Sequence, residues 1–182
     1  MMFLLLMLVV LACWAIFSFN RLVRDRNRVR AGWSDIDVQL KRRHDLVPRL
    51  VEAVKGYARY EKATLEAVIA LRNSSSASVD VAAKGPLEGE LGAGVRKLIL
   101  LAEAYPELKA SENFSQLQDQ LVAVEEQIQF ARRYYNGCVR NLNTRIESFP
   151  DLLIARPFNF QPAAYFELED RPTEQRTPEV SL

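Results

Sequence analysis

Residues Met1 to Phe19 carry no charge, and the chain then runs directly into Arg21-Leu-Val-Arg24-Asp-Arg26-Asn-Arg28-Val-Arg30. At about 1.5 Å of rise per residue, a helix over this run reaches about 28 Å, close to the ~30 Å hydrocarbon core of a bilayer. The run therefore predicts a single membrane span, residues 1–19. A cleaved signal peptide is the main alternative. It requires a basic region ahead of a shorter apolar core and a small-residue cleavage site, and nothing basic precedes this run. Val10-Leu11-Ala12-Cys13 loosely resembles a lipobox. It too lacks a basic lead, and the apolar run continues through Trp14, Ile16, Phe17 and Phe19, which favours Cys13 as an apolar residue in lipid.

Orientation follows from charge asymmetry. No Lys or Arg precedes the span, whereas Arg21, Arg24, Arg26, Arg28 and Arg30 follow it, offset only by Asp25. Basic residues stay on the cytoplasmic side, so the N-terminus is expected outside and everything C-terminal in the cytoplasm. On a helix Arg21, Arg24 and Arg28 share one face while Arg26 and Arg30 lie on another. This membrane-proximal collar sets topology and offers a second role, holding anionic head groups.

After the span about 160 residues remain, enough for one domain with a sizeable core. With 24 basic against 23 acidic residues the net charge is +1, which supplies no field for a nucleic acid. Cys13 and Cys138 make no disulfide framework. Apolar residues recur at helical spacing throughout. Trp33, Ile36, Leu40, Val47, Val51, Val54, Ala58, Leu65 and Val68 form one stripe, which predicts one long helix up to a polar loop at Asn73-Ser-Ser-Ser-Ala-Ser78. Pro48 predicts a bend near His44 to Val47 rather than an end, because the stripe resumes in register at Val51. A second helix is expected from about Leu87 to Ala104, with Leu87, Leu91, Val95, Leu98 and Ala102 on one face and Ile99, Leu100 and Leu101 making it apolar almost all round. The third pattern is the cleanest: Phe114, Leu117, Leu121, Val124, Ile128, Ala131, Tyr135, Cys138, Leu142, Ile146 and Phe149. Ser111 or Asn113 is its expected cap and Pro150 its stop, and its regularity signals near-parallel packing at about 20°, as in bundles and coiled coils. Phe158, Phe160, Tyr165 and Phe166, set around two prolines, are expected to close the core, with a brief helix on either side of Pro157. Residues 168–182 read as a disordered tail.

The chain resembles the LemA proteins of bacteria. The resemblance rests on Asn20-Arg-Leu-Val, Arg26-Asn-Arg-Val, Trp33-Ser-Asp-Ile-Asp-Val-Gln-Leu-Lys-Arg-Arg-His-Asp-Leu-Val-Pro48, Val54-Lys-Gly-Tyr-Ala58, Ala102-Glu-Ala-Tyr-Pro-Glu-Leu-Lys109, Asn113-Phe, Ala131-Arg-Arg-Tyr-Tyr-Asn136, Ile146-Glu-Ser-Phe-Pro150 and Pro162-Ala-Ala-Tyr-Phe166. It covers about residues 20–167 and implies an all-α fold, an N-terminal transmembrane helix followed by a bundle of long antiparallel helices. It implies no reaction, because the family has no established common activity. Asn73 to Gly92 departs from the pattern, with serines and glycines where better helix formers are expected.

The strongest polar constellation is Asp35, Asp37, Gln39, Lys41, Arg42, Arg43, His44 and Asp45. A solvated charged face is its bland reading. His44, however, falls in the Leu40, Val47, Val51 stripe, where a buried polar group needs partners. Asp37, Lys41, Arg43, His44 and Asp45 are therefore the candidate polar network or partner-binding patch, with Asn136, Arg140 or Asn141 of the third helix as the simplest hydrogen-bonding partners. One histidine and one usable thiol are a thin inventory for a metal, no Glu-x-x-His pair occurs, and there is no phosphate loop or zinc pattern. No cofactor and no catalytic residue is expected. The expected function is a non-catalytic scaffold or adaptor at the membrane. Its expected partners are lipids through residues 1–19, a second copy of the chain and other membrane proteins, with no nucleic acid. An envelope or lipid sensor using the arginine collar, and an enzyme with a site formed between subunits, are the alternatives.

Overall fold

The computed structural model describes residues 1–58 and 61–168. The expected disordered tail lies outside them, apart from Leu168, which is buried. The elements are α1 (Met2–Lys55), α2 (Lys62–Ala77), α3 (Val81–Ala102), α4 (Pro106–Lys109), α5 (Glu112–Glu147) and α6 (Leu152–Ala155), with no strand among the described residues. The all-α expectation is met. The chain forms two compact units, one from residues 1–36 and 130–165, the other from Asp37–Gln129 with the chain from Phe166.

In the first unit, Leu22, Val29 and Ile36 of α1 and Tyr135, Cys138, Val139, Leu142 and Ile146 of α5 are buried. Burying each large aliphatic side chain contributes about 1.5–3 kcal/mol. Trp33 sets its ring 5.6 Å from that of Tyr135. The segment after α6 is tied to α5 by main-chain recognition. Tyr135 Oη donates to Ala164 O at 2.8 Å, while Asn143 donates to Ala163 O and accepts from Ala163 N at 3.0 and 2.9 Å. Upstream, the uncharged run extends as bare helix: apart from Trp14 and Ala15, every residue to Phe17 is exposed, and Ser18 is the first buried one.

In the second unit, Leu40, Val47, Leu50 and Val54 of α1, Leu65 and Val68 of α2, Leu91, Val95, Leu98 and Ala102 of α3, and Phe114, Leu121, Val124 and Ile128 of α5 make the core, with Leu108 and Phe166. Several sequence expectations are corrected. The first helix does not run to Asn73. It ends at Lys55, where Gly56 lowers helix propensity by about 1 kcal/mol relative to Ala, and Ala58 N donates to Val54 O at 2.9 Å across the turn. The stripe stayed in register because α2 restarts against the same core, and periodicity cannot distinguish one helix from two that share a face. α1 does continue through Pro48.

The serine run is not a loop. α2 includes it to Ala77, and the break falls at Ser78 to Asp80. α3 begins at Val81 rather than Leu87 because Asp80 caps it, its carboxylate accepting from Ala83 N at 3.0 Å. The buried face of α3 passes through Glu88 instead of Leu87, and Leu100 is 64% exposed, so the apolar residues of this helix are not buried all round. Its glycines allow close approach to different degrees. A Cβ on Gly85 would strike the backbone of Glu167, one on Gly94 would stand 2.9 Å from Val68 Cγ2, and one on Gly92 would stand 3.3 Å from Arg43 Nη1. At the far end of α5, the helix stops at Glu147, leaving Phe149 exposed rather than on the stripe. Phe160 and Phe166 are buried as expected, but Phe158 and Tyr165 are exposed, and residues 156–159 form turns where a second short helix was expected beyond Pro157.

Candidate functional site

Two polar clusters are built into the fold, one in each unit. In the second unit Arg43 and His44 point inward from α1 and both are buried. Their partner is not on α5 at Asn136, Arg140 or Asn141; it is Glu88 of α3, whose side chain is wholly inaccessible. Glu88 accepts from Arg43 Nη2 and from the Ser75 hydroxyl, and its Oε1 lies 2.7 Å from His44 Nε2. Arg43 also donates to Glu88 O and to Glu125 Oε2, each at 2.9 Å.

Burial by itself would raise the Glu88 carboxyl. The hydrogen bond with His44, the Arg43 charge and the Ser75 hydroxyl outweigh it and hold the group at about 2 against an ordinary 4.5. An ionised carboxylate only accepts, so His44 donates from Nε2. A carboxylate so fully engaged is a weak base.

Pro48 completes the cluster. It has no N–H to give to His44 O four residues earlier. Arg72 of α2 takes that role, its Nε donating to His44 O at 3.2 Å. Nearby, Lys84 Nζ stands 3.3 Å from Asp37 Oδ1. Of the five residues singled out from sequence, Arg43 and His44 are buried in the network, Asp37 is exposed and pairs with Lys84, and Lys41 and Asp45 are solvent-exposed. Glu88, Ser75, Arg72 and Glu125 were missed. Only Glu88 had a signal, a carboxylate on the face shared by Leu91, Val95 and Leu98.

Two cavities in this unit bear on chemistry. One of about 690 Å³, lined by Val51, Ala58, Leu65 and Ile69 among others, contains none of the network residues. A smaller one of about 290 Å³ touches Arg43 and Glu125 but is otherwise mostly apolar. No group of three or more His, Cys, Asp or Glu that could hold a metal occurs among the described residues.

In the first unit the arginine collar surrounds a second cluster. Asp25 is buried and accepts from Arg145 Nε at 2.6 Å, with Arg28 Nη1 at 3.5 Å. Arg145 Nη1 also reaches Asp151 Oδ2 at 3.2 Å, and Asp151 Oδ1 accepts from the Ser18 hydroxyl at 2.5 Å. Burial works to lower the Arg145 pKa, but the two carboxylates raise it overall. Of the collar, Arg21 lies over Phe17 at 5.5 Å and Arg26 over Phe160 at 5.1 Å, while Arg24 and Arg30 are exposed. The sign in sequence was Asp25, the lone acid among five arginines, but its closest partner, Arg145, lies 120 residues away.

The fold and these clusters define an all-α protein whose long first helix begins with an exposed segment apolar and long enough to cross a membrane. The LemA family model matches residues 32–182, so the chain belongs to the LemA family. It is also similar to Protein LemA of Metamycoplasma hominis, 27% identical over 153 residues, which are 83% of this chain and 69% of that protein.

Proposed function

We propose that this chain is a single-pass membrane protein that holds a helical domain at the cytoplasmic face of a bacterial inner membrane and works by binding partners rather than by catalysis. The observation that carries this reading is the sharp change along α1. The apolar window of this helix is only 6% buried, whereas the core helix of a water-soluble protein is mostly buried. From Ser18 on, the same unbroken helix supplies Leu22, Val29 and Ile36 to a packed core. A removable leader is separable from the fold behind it; this segment is continuous with the fold, which favours an anchor over a signal sequence. The arginine collar favours the cytoplasmic side for the domain.

Two features support a scaffold or adaptor. The buried carboxylate of the polar network has its oxygens occupied by three side chains, an arrangement suited to locking α1, α2 and α3 together rather than to turnover. On α5, Phe130 and Tyr134 are exposed one turn apart, and Gly137 one turn further has nothing within 4 Å of a built Cβ, which leaves an aromatic and open helix face for another helix. The test is the mass and composition of the complex recovered from native membranes in mild detergent after light crosslinking. Recovery in fixed ratio with a distinct membrane protein or with further copies is the expected result. A monodisperse monomer, or turnover of a substrate that His44→Ala abolishes without loss of helicity, refutes it.

A further inference from the structure

We propose that the turn spanning residues 149–158 is a second membrane contact, a foot that seats Phe149, Leu153 and Phe158 in the interfacial layer of the bilayer beside the span. The inference rests on the anchor reading of α1. Three independent observations carry it. Position is the first: the Asp151 carboxylate accepts from the hydroxyl of Ser18, and the Phe158 ring packs edge-on against Phe19 at 4.9 Å between centroids. Both contacts fall where the uncharged run gives way to arginines, the depth at which apolar side chains such as Phe and Leu seat at the headgroup–acyl boundary.

Exposure is the second. Phe149, Leu153 and Phe158 are 79%, 56% and 60% exposed, and Ile16 and Phe17 of the span 62% and 61%, so large apolar side chains stand open both on the turn and on the helix that it packs against. The third is backbone satisfaction. Groups near hydrocarbon lack water as a partner and must bond internally. From Leu152 to Phe160 every residue that has an N–H donates it within the segment: Leu152 to Ser148 O, Leu153 to Pro150 O, Ile154 and Ala155 to Asp151 O, Arg156 to Leu152 O, Phe158 to Ile154 O, Asn159 to Arg156 O and Phe160 to Ala155 O. Pro157 has no N–H to satisfy. Of the turn's two charged side chains, Asp151 is paired with Arg145 and Arg156 is exposed.

The test places an environment-sensitive fluorophore, one site at a time, on the full chain lacking Cys13 and Cys138 and reconstituted in vesicles that contain anionic lipid. The sites are Phe149→Cys and Leu153→Cys in the foot, Leu8→Cys in the span and Asp35→Cys on an exposed face of α1, about 24 Å along the helix beyond Phe19. Spin-labelled lipids quench at either the headgroup level or the deep acyl level. The expected result is loss of most emission at the two foot sites with the headgroup quencher and less with the deep one, deep quenching at Leu8, and none at Asp35. Quenching at Leu8 without quenching at the foot sites overturns the foot and leaves the anchor standing. Quenching at Asp35 as strong as at the foot sites overturns it in favour of unspecific contact. An unquenched Leu8 overturns the anchor, and the foot with it.

Discussion

Glu88 concentrates the chemistry of the second unit, because three side chains from two other helices converge on one inaccessible carboxylate. Its folded value of about 2 lies below its ordinary 4.5, so the stabilisation from its ionised form is fully present above pH 4.5 and is lost as pH falls from there toward 2. The shift corresponds to about 3 kcal/mol. Denaturant unfolding in detergent between pH 6 and pH 2.5 is expected to show this loss, and Glu88→Gln is expected to flatten it while lowering stability at pH 6 by about 3 kcal/mol, because Arg43 is left with an incompletely balanced buried charge. Arg72 gives a sharper test. Arg72→Met leaves His44 O without the donor that Pro48 cannot supply, at a cost of about 1–3 kcal/mol. Pro48→Ala restores that N–H, so in a double-mutant cycle the loss caused by Arg72→Met should shrink in the Pro48→Ala background. Additive losses would contradict this account.

α3 is the helix whose identity depends most on neighbours. Its first fourteen residues carry four glycines and a proline, a composition that reads as a loop leading into a helix starting at Leu87. The helix nevertheless starts at Val81, since Asp80 caps it and Gly85 and Gly92 let the Glu167 backbone and the Arg43 guanidinium approach. Asp80→Ala is expected to lower stability by about 1 kcal/mol and Asp80→Asn far less, read from denaturant midpoints. Gly85→Ala should cost more than Asp80→Ala, because the obstructing atoms are backbone and cannot rotate away as a side chain can. Equal or smaller loss would mean that the strand of chain at Glu167 is not held there. α5, by contrast, was legible almost residue by residue: its stripe from Phe114 to Ile146 faces inward with only Leu117 and Ala131 half-buried. Its error was confined to Phe149, beyond the helix end.

For the protein as a membrane component, the decisive quantity is the free energy of placing residues 1–19 in lipid. Leu8→Arg puts a charge near the middle of the span, a penalty of about 2.5–3.5 kcal/mol on insertion. The expected outcome is a clear shift of the protein from the carbonate-resistant membrane pellet to the soluble fraction, whereas Asp35→Arg should leave fractionation unchanged. Protease added outside intact spheroplasts should spare the domain, and digestion under those conditions would reverse the proposed orientation.

Properties set by composition along one dimension were readable from the amino-acid order: the uncharged run, the helical class, the inward stripes of α1 and α5, and membership of a family through dense short motifs. Each depends on a residue and its neighbours within a few turns. Which face α2 shares with α1, what the glycines of α3 pack against, and which group His44 meets depend on residues far apart in the chain. Helix period is unchanged across a turn that keeps the same face, so Gly56 was invisible against the Val54, Ala58, Leu65 stripe. A buried histidine announces that it needs a partner but not which one; Glu88, Asp151 and Arg145 acquire their roles only when the folded chain carries their charges out of water and sets them within hydrogen-bonding distance.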